Sequence, residues 1–365
     1  MASANERLQD EAVDHGIDML RYERWVSQRM VAVLNRADAR LVAALAEALL
    51  QQDPDSFTVE RLEAMLLSVR ALNAEAYALV AREFAPYMQG EAAAEARWQA
   101  GALRGAVPAS VQVQFPIAAV APEQVYAAAF SRPFQGRLLA GWFATLAEDR
   151  MTLVRNTIRA GYMDGLTTPE IVRRLRGTKA LQYADGVLDR PRRELMTVVR
   201  TALSHTAQTA RNMTVAANLD LIKAVKWVAT LDSRTSPPCQ IRDGKHYTAT
   251  APHKPVGHKV PWLGGPGRLH FNCRSVSVPV TKSWRELGIE ADDLPPSTRA
   301  SMDGQVPADT TYGEWLARQP AARQDEVLGA ERAALFRAGK VTFDRFYDDK
   351  GRWLTLAQLL ARIGA

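Results

Sequence analysis

The sequence predicts a mainly α-helical protein carrying one small α+β module. Three observations lead there. Between residues 10 and 84, apolar side chains recur at three- and four-residue steps, the mark of an amphipathic helix. One stretch, Trp227 to Val280, switches to alternation broken by turn chemistry. Behind it, short helical patterns are separated by glycine and proline. The expected architecture is a long N-terminal helical hairpin, a small sheet around residues 223–280 and a C-terminal tail of short helices. Three consecutive segments follow: 1–121, 122–285 and 286–365.

Leu20, Met30, Leu34, Leu41, Leu45 and Leu49 mark a helix over residues 10–50. Asp53, Pro54, Asp55 and Ser56 end it and offer caps for the next. Leu62, Met65, Leu66, Val69, Leu72, Leu79 and Val80 mark a second helix to about Phe84, and a short polar turn makes the two an antiparallel pair. Residues 89–121, punctuated by Pro108, Pro116 and Pro122, read as a linker, with 110–115 alternating like a short strand or extended arm. A helix is expected over 122–161 and a short one from Pro169 to Arg176. A long one over 191–217 opens on proline, whose missing N–H is no loss in a first turn.

Lys223 to Thr230 then alternates around Val225, Trp227 and Val228, and Val276, Val278 and Val280 alternate again. Between them lies Asp232-Ser233-Arg234-Thr235-Ser236-Pro237-Pro238, a turn of backbone-bonding side chains and two prolines. A Pro/Gly-rich excursion, 252–268, is expected to be a mobile basic loop. After the sheet, 283–296 reads as a helical fragment, 301–310 as loosely held, and 312–316, 327–336, 343–346 and 354–363 as short helical pieces.

Length allows two or three domains, and 47% hydrophobic with 24% charged residues excludes wholesale disorder. Net charge is +6 with a pI near 9.4, compatible with nucleic acid or an acidic protein surface and equally with a plain solvated surface. Two cysteines make no disulfide scaffold. The charged start suggests no secretory signal, and no run reaches the ~18–20 apolar residues of a membrane span, so a reducing cytoplasm is expected.

Both cysteines and four of the six histidines fall between Trp227 and Val280. Cys239, His270 and Cys273 are candidate zinc ligands, soft thiolates with an imidazole. A fourth ligand stays open among Asp232, Asp243, His246 and His205, and two packed cysteines, reduced or bridged, is the competing reading. A catalytic thiolate needs a base and an orienting group in reach. Asp232, Asp243 and His270 form an alternative set for a metal-dependent nuclease or hydrolase. Against it, an aspartate opening such a turn bonds backbone N–H groups, with Arg234 expected to pair with an acid and pin the turn. Lys254 and Lys259 are candidate DNA-backbone contacts. His205 and Thr209 share a helix face and are expected to pack under the cysteine turn.

The order of these features resembles the phage Mu F-like family of minor head proteins. Arg200 and His205 lie on the helix ahead, then come Asp232, Arg234, Thr235 and Cys239, the pair Asp243-Gly244, and finally His270, Asn272, Cys273 and Arg274. The resemblance spans roughly residues 135–285. It implies a structural minor capsid or head morphogenesis protein of a tailed bacteriophage, not an enzyme, acting near the portal in head assembly and DNA packaging and ejected with DNA in some cases. It further implies the portal protein, the major capsid or scaffolding protein and genomic DNA as partners. The implied location is the virion, and the host cytoplasm during assembly. Many relatives carry further cysteines where Ser236 and Ser275 stand here. No cofactor is expected, zinc at Cys239, His270 and Cys273 being the one candidate.

Overall fold

The apolar stripes make both N-terminal helices longer than expected: α1 spans Ala4–Leu50 and α2 spans Val59–Ala106. The structure, a computed structural model, describes residues 3–51, 58–289 and 298–363. The caps expected at 53–56 lie outside the described residues. α2 does not stop at Phe84, because Ala92, Ala96, Ala100 and Leu103 continue a buried stripe and Pro86 is accommodated inside the helix. The expected linker is therefore mostly helix. Residues 109–114, whose alternation suggested a strand, form α3 (Ala109–Gln114), with Val111 buried and Val113 83% exposed. Two valines two apart fit opposite sides of one helical turn as well as they fit a pleat.

By length and composition Glu60–Ala106 is apolar enough to cross a bilayer. Composition alone does not show a span. This segment is alanine-rich, buries Glu91 and Glu95, and packs Leu62, Leu66 and Val69 against Leu41 and Leu45.

The helix expected over 122–161 is two: α4 (Pro122–Ser131) and α5 (Leu139–Met163). Pro133 has no N–H to donate, Gln135 and Gly136 take positive φ (48° and 81°), and Phe134 and Arg137 close a tight antiparallel bridge. α6 (Thr168–Arg176) opens on a capping box of Thr167 and Glu170. α7 runs Asp189–Ala217.

Two compact units result, Arg21–Gly90 with Phe130–Leu203, and Met1–Leu20 with Glu91–Ala129 and Ser204–Ala365. Neither is a single run of sequence, because α1, α2 and α7 each contribute to both. In the first unit Leu45, Leu66, Val69, Val154, Ile158, Ile171 and Leu175 share a core. There the buried Arg150 and the half-buried Arg192 both pair with Asp38.

The second unit holds the sheet: β1 (Ile222–Val228), β2 (His246–Thr248), β3 (Pro255–Val256) and β4 (Val276–Thr281), in the antiparallel order β3-β2-β1-β4. Val228 sits opposite Val276 and Trp227 opposite Ser277. Helices cover both faces. Lys226 reaches Gln9 Oε1 of α1 (2.7 Å), and Ser277 takes a bond from Gln208 Nε2 of α7 (2.7 Å).

The excursion expected to be mobile is anchored by Trp262, which is buried edge-on against Trp227 (5.3 Å) and Tyr247 (4.9 Å). Ser204 Oγ also donates to Gly267 O (2.6 Å). Residues 283–289 form a capped turn where a helical fragment was expected, and 290–296 lie outside the described residues. The region taken as loose belongs to a hairpin of β5 (Thr298–Ser301) and β6 (Gly304–Pro307).

The tail folds as expected in type: α9 (Tyr312–Ala317) after the short α8 (Pro237–Gln240), then α10 (Ala321–Leu328), α11 (Ala330–Arg337), a 3-10 turn at Phe343–Phe346 and α12 (Leu356–Ile363). Tyr312, Trp315, Phe346 and Tyr347 pack with Leu231 and Ile241, so the tail is docked on the sheet module.

Candidate functional site

The turn after β1 is built by Asp232. Its Oδ1 accepts the Arg234 N–H (3.1 Å) and the Thr235 hydroxyl lies 3.0 Å away. Arg274 forks onto both carboxylate oxygens, with Nη2 at 2.7 Å from Oδ1. The expected pinning role of Arg234 therefore passes to Arg274, whose position just before β4 lets it reach back, while the Arg234 side chain is exposed.

Ser236 then caps α8, its carbonyl accepting from Cys239 and Gln240 N–H (2.9 and 3.0 Å). Pro237 and Pro238 occupy the first turn, where absent N–H groups leave nothing unpaired. Pro237 and Pro238 thus begin a helical turn, which carries Cys239 inward.

The return hook brings His270 and Cys273 to the same place, with Asn272 at φ 56° to make the bend. Cys239 Sγ lies 3.6 Å from Cys273 Sγ and 3.3 Å from His270 Nε2, and Ser236 Oγ lies 2.7 Å from the same nitrogen. His270 Nδ1 donates to Phe271 O (2.9 Å). The hydrogen bond from Cys239, joined by His270, holds the Cys273 thiol well below its ordinary value. The same Cys239–Cys273 bond, with burial, pushes Cys239 up, and His270 is raised by its bond to Cys273. Such an arrangement can hold a soft divalent ion or keep a buried thiolate.

Of the side chains offered as a fourth ligand, none joins the cluster: among the described residues Cys239, His270 and Cys273 stand as the group of metal-ligand atoms within 4.8 Å. Asp243 faces Arg299, with both side chains essentially inaccessible (0% and 1%), and accepts the Ala229 N–H (2.8 Å). Gly244 follows it at φ +76°. His246 is part of β2. His205 bonds the end of α4. Its Nε2 is 3.1 Å from Ala129 O at the end of α4 and its Nδ1 3.4 Å from Arg268, because the α7 face it shares with Thr209 meets α4. Arg200 donates to Ser27 Oγ (3.2 Å), both residues lying in the unit without the sheet. Lys254 and Lys259 are exposed on the anchored excursion.

Sequence reading missed the groups that lock the turn from behind. Tyr312 OH donates to Asp232 O (2.9 Å), Gln240 Nε2 reaches Tyr312 OH (3.2 Å), and Tyr347 OH donates to Gln240 Oε1 (2.9 Å). Aromatic residues at short helical spacing were the only signal, and they read as ordinary core.

Burial pushes the Asp232 carboxyl up, but the Arg274 hydrogen bonds and charge more than offset this and leave it below the usual aspartate range. A depressed carboxylate adds stability that is complete above the unfolded-state value, about 3.9, and is lost as pH falls through the folded-state value. Asp232→Asn should therefore lower the urea midpoint at pH 7 and make progressively less difference as the pH is taken below 4. An equal loss at pH 7 and pH 3 would remove the ion pair from the account.

Residues 152–278 match the family model described as Phage Mu protein F like protein. The span takes in the second half of α5, all of α6 and α7, β1 to β3, the cysteine–histidine cluster and the first half of β4. It agrees with the resemblance carried by the turn and hook motifs and supports a phage head morphogenesis protein. Comparison with curated proteins and with solved structures gave no match.

Proposed function

We propose, from the Phage Mu protein F-like region at residues 152–278, that the chain is a structural minor protein of a tailed-phage head, acting near the portal in assembly and DNA packaging. That match is the observation that carries the reading. The locked turn supports it: Asp232 is committed to Arg274 and Asp243 to Arg299, so neither carboxylate is free to hold a nuclease metal. The work left to such a surface is contact, with other capsid components and, through the exposed Lys254 and Lys259, with the DNA backbone. In this reading the protein assembles in the host cytoplasm and remains with the virion, meeting the portal protein and the major capsid or scaffolding protein.

The test is genetic. A phage with the gene interrupted should yield heads that are empty or poor in DNA, while mass spectrometry of purified wild-type particles should find the chain. Normal yields of filled heads without the gene, together with absence of the chain from wild-type particles, overturn the proposal. Metal-dependent cleavage of DNA by the purified chain, abolished by Asp232→Ala, would put an enzyme in its place.

A further inference from the structure

Three side chains that a head-protein role leaves without a task converge at one point. Cys239 arrives on α8, His270 and Cys273 on the return hook, so segments more than 30 residues apart meet there, at sequence separations of 31 and 34. Zinc holds thiolate sulfur at about 2.3 Å and imidazole nitrogen at about 2.0–2.1 Å in tetrahedral geometry. Two sulfurs on one such ion then stand about 3.8 Å apart, and a sulfur and a nitrogen about 3.6 Å apart. The separations found are 3.6 Å between sulfurs and 3.3 Å from Cys239 Sγ to His270 Nε2, each within a few tenths of an ångström of that requirement.

The histidine is also oriented for the role. Its Nδ1–H is spent on the Phe271 carbonyl, which places the Nε2 lone pair toward the sulfurs, as in metal-bound histidines whose second nitrogen is fixed by an outer partner. Ser236 Oγ lies 2.7 Å from that nitrogen, beside the cluster. Charge fits as well. Two thiolates, a neutral imidazole and a divalent cation sum to zero, which is what a buried pair of cysteines, 2% and 3% exposed, can accommodate.

We infer that Cys239, His270 and Cys273 bind one Zn²⁺, with the Ser236 hydroxyl or one water completing the tetrahedron. Binding releases the thiol protons to solvent and leaves both sulfurs as thiolates. The ion is structural: it ties the turn after β1 to the hook before β4. The inference is independent of the head-protein role, and its test needs no phage.

Full-length chain, purified with its thiols reduced, is loaded with zinc, dialysed and measured for metal by mass spectrometry. Cobalt-loaded samples are examined for thiolate charge-transfer and tetrahedral ligand-field bands. About one equivalent of zinc is expected, in line with one three-ligand cluster, together with a tetrahedral cobalt spectrum and a lower unfolding temperature after chelation. Cys273→Ser and His270→Ala should lose the metal, with circular dichroism reporting whether they fold. Ser236→Cys puts a thiolate where a weaker hydroxyl or water ligand stands, so it should keep zinc at a chelator concentration that strips the parent chain. Absence of metal from reduced, folded protein overturns the inference. So does an octahedral cobalt spectrum, unchanged zinc in the Cys239→Ser/Cys273→Ser double variant, or a Ser236→Cys chain stripped as readily as its parent.

Discussion

Replacing Arg299 by alanine should destabilise the sheet-bearing unit by about 3–5 kcal/mol, the range for breaking a buried ion pair on one side. The guanidinium is 1% exposed and spans three segments. It bonds both oxygens of Asp243 (3.1 and 3.2 Å), the Ala229 carbonyl (2.7 Å) and the Thr310 carbonyl (2.9 Å). Removing it leaves the buried Asp243 charge without its partner, and strands two carbonyls. Urea unfolding followed by tryptophan fluorescence measures the loss. A second arm identifies the cause: the double change Asp243→Leu with Arg299→Met should cost less than Arg299→Ala alone, because no lone charge remains. Additive losses would mean that packing, and not the stranded charge, dominates.

Trp227→Ala should cost about 3–5 kcal/mol, as expected for a fully buried aromatic truncated in a core that cannot collapse. Trp227 is 0% exposed, lies on the α7 face of β1, and meets Trp262 edge-on. That contact is one of the anchors of the 252–268 excursion, so the damage should be local as well as global. Trypsin cleavage after the exposed Lys259 should accelerate more than cleavage in α6, where Ile171 and Leu175 pack in the other unit's core. Uniform acceleration across both units would separate the excursion from Trp227.

The parts of this fold legible in the sequence are those where periodicity ran long enough to accumulate. Leu41, Leu45 and Leu49 declare a helix because nothing in that run contradicts them, and Val276, Val278 and Val280 declare a strand flanked by turns. The reading of α2 stopped near Phe84, since the alanines beyond it carry too little hydrophobic contrast to announce a face. β2 and β3, at three and two residues, are too short for alternation to be seen. The candidate site was legible as a set of residues, since Asp232, Cys239, His270 and Cys273 were singled out from turn chemistry and ligand type. Its pairings were not. Arg274 and Arg234 are both near Asp232 in possible folds, and only the hook at Asn272 decides which guanidinium arrives. Arg299 and Tyr312 were invisible because their partners are set by tertiary placement alone.

The sheet-bearing unit collects pieces from both ends of the chain. Thr281 donates its backbone N–H to Asn5 (2.8 Å), Gln9 donates to Ala308 O (2.6 Å), and Arg299 closes on Asp243. A ribosome making this polypeptide delivers the N-terminal helix first and its partners some three hundred residues later, at a sequence separation of 299 for Gln9 and Ala308. The first turns of that helix therefore reach these partners only after Ala308 has left the exit tunnel. Until then Gln9 lacks that acceptor, and a transcript cut short before Arg299 yields a chain whose Asp243 carboxylate has lost its guanidinium.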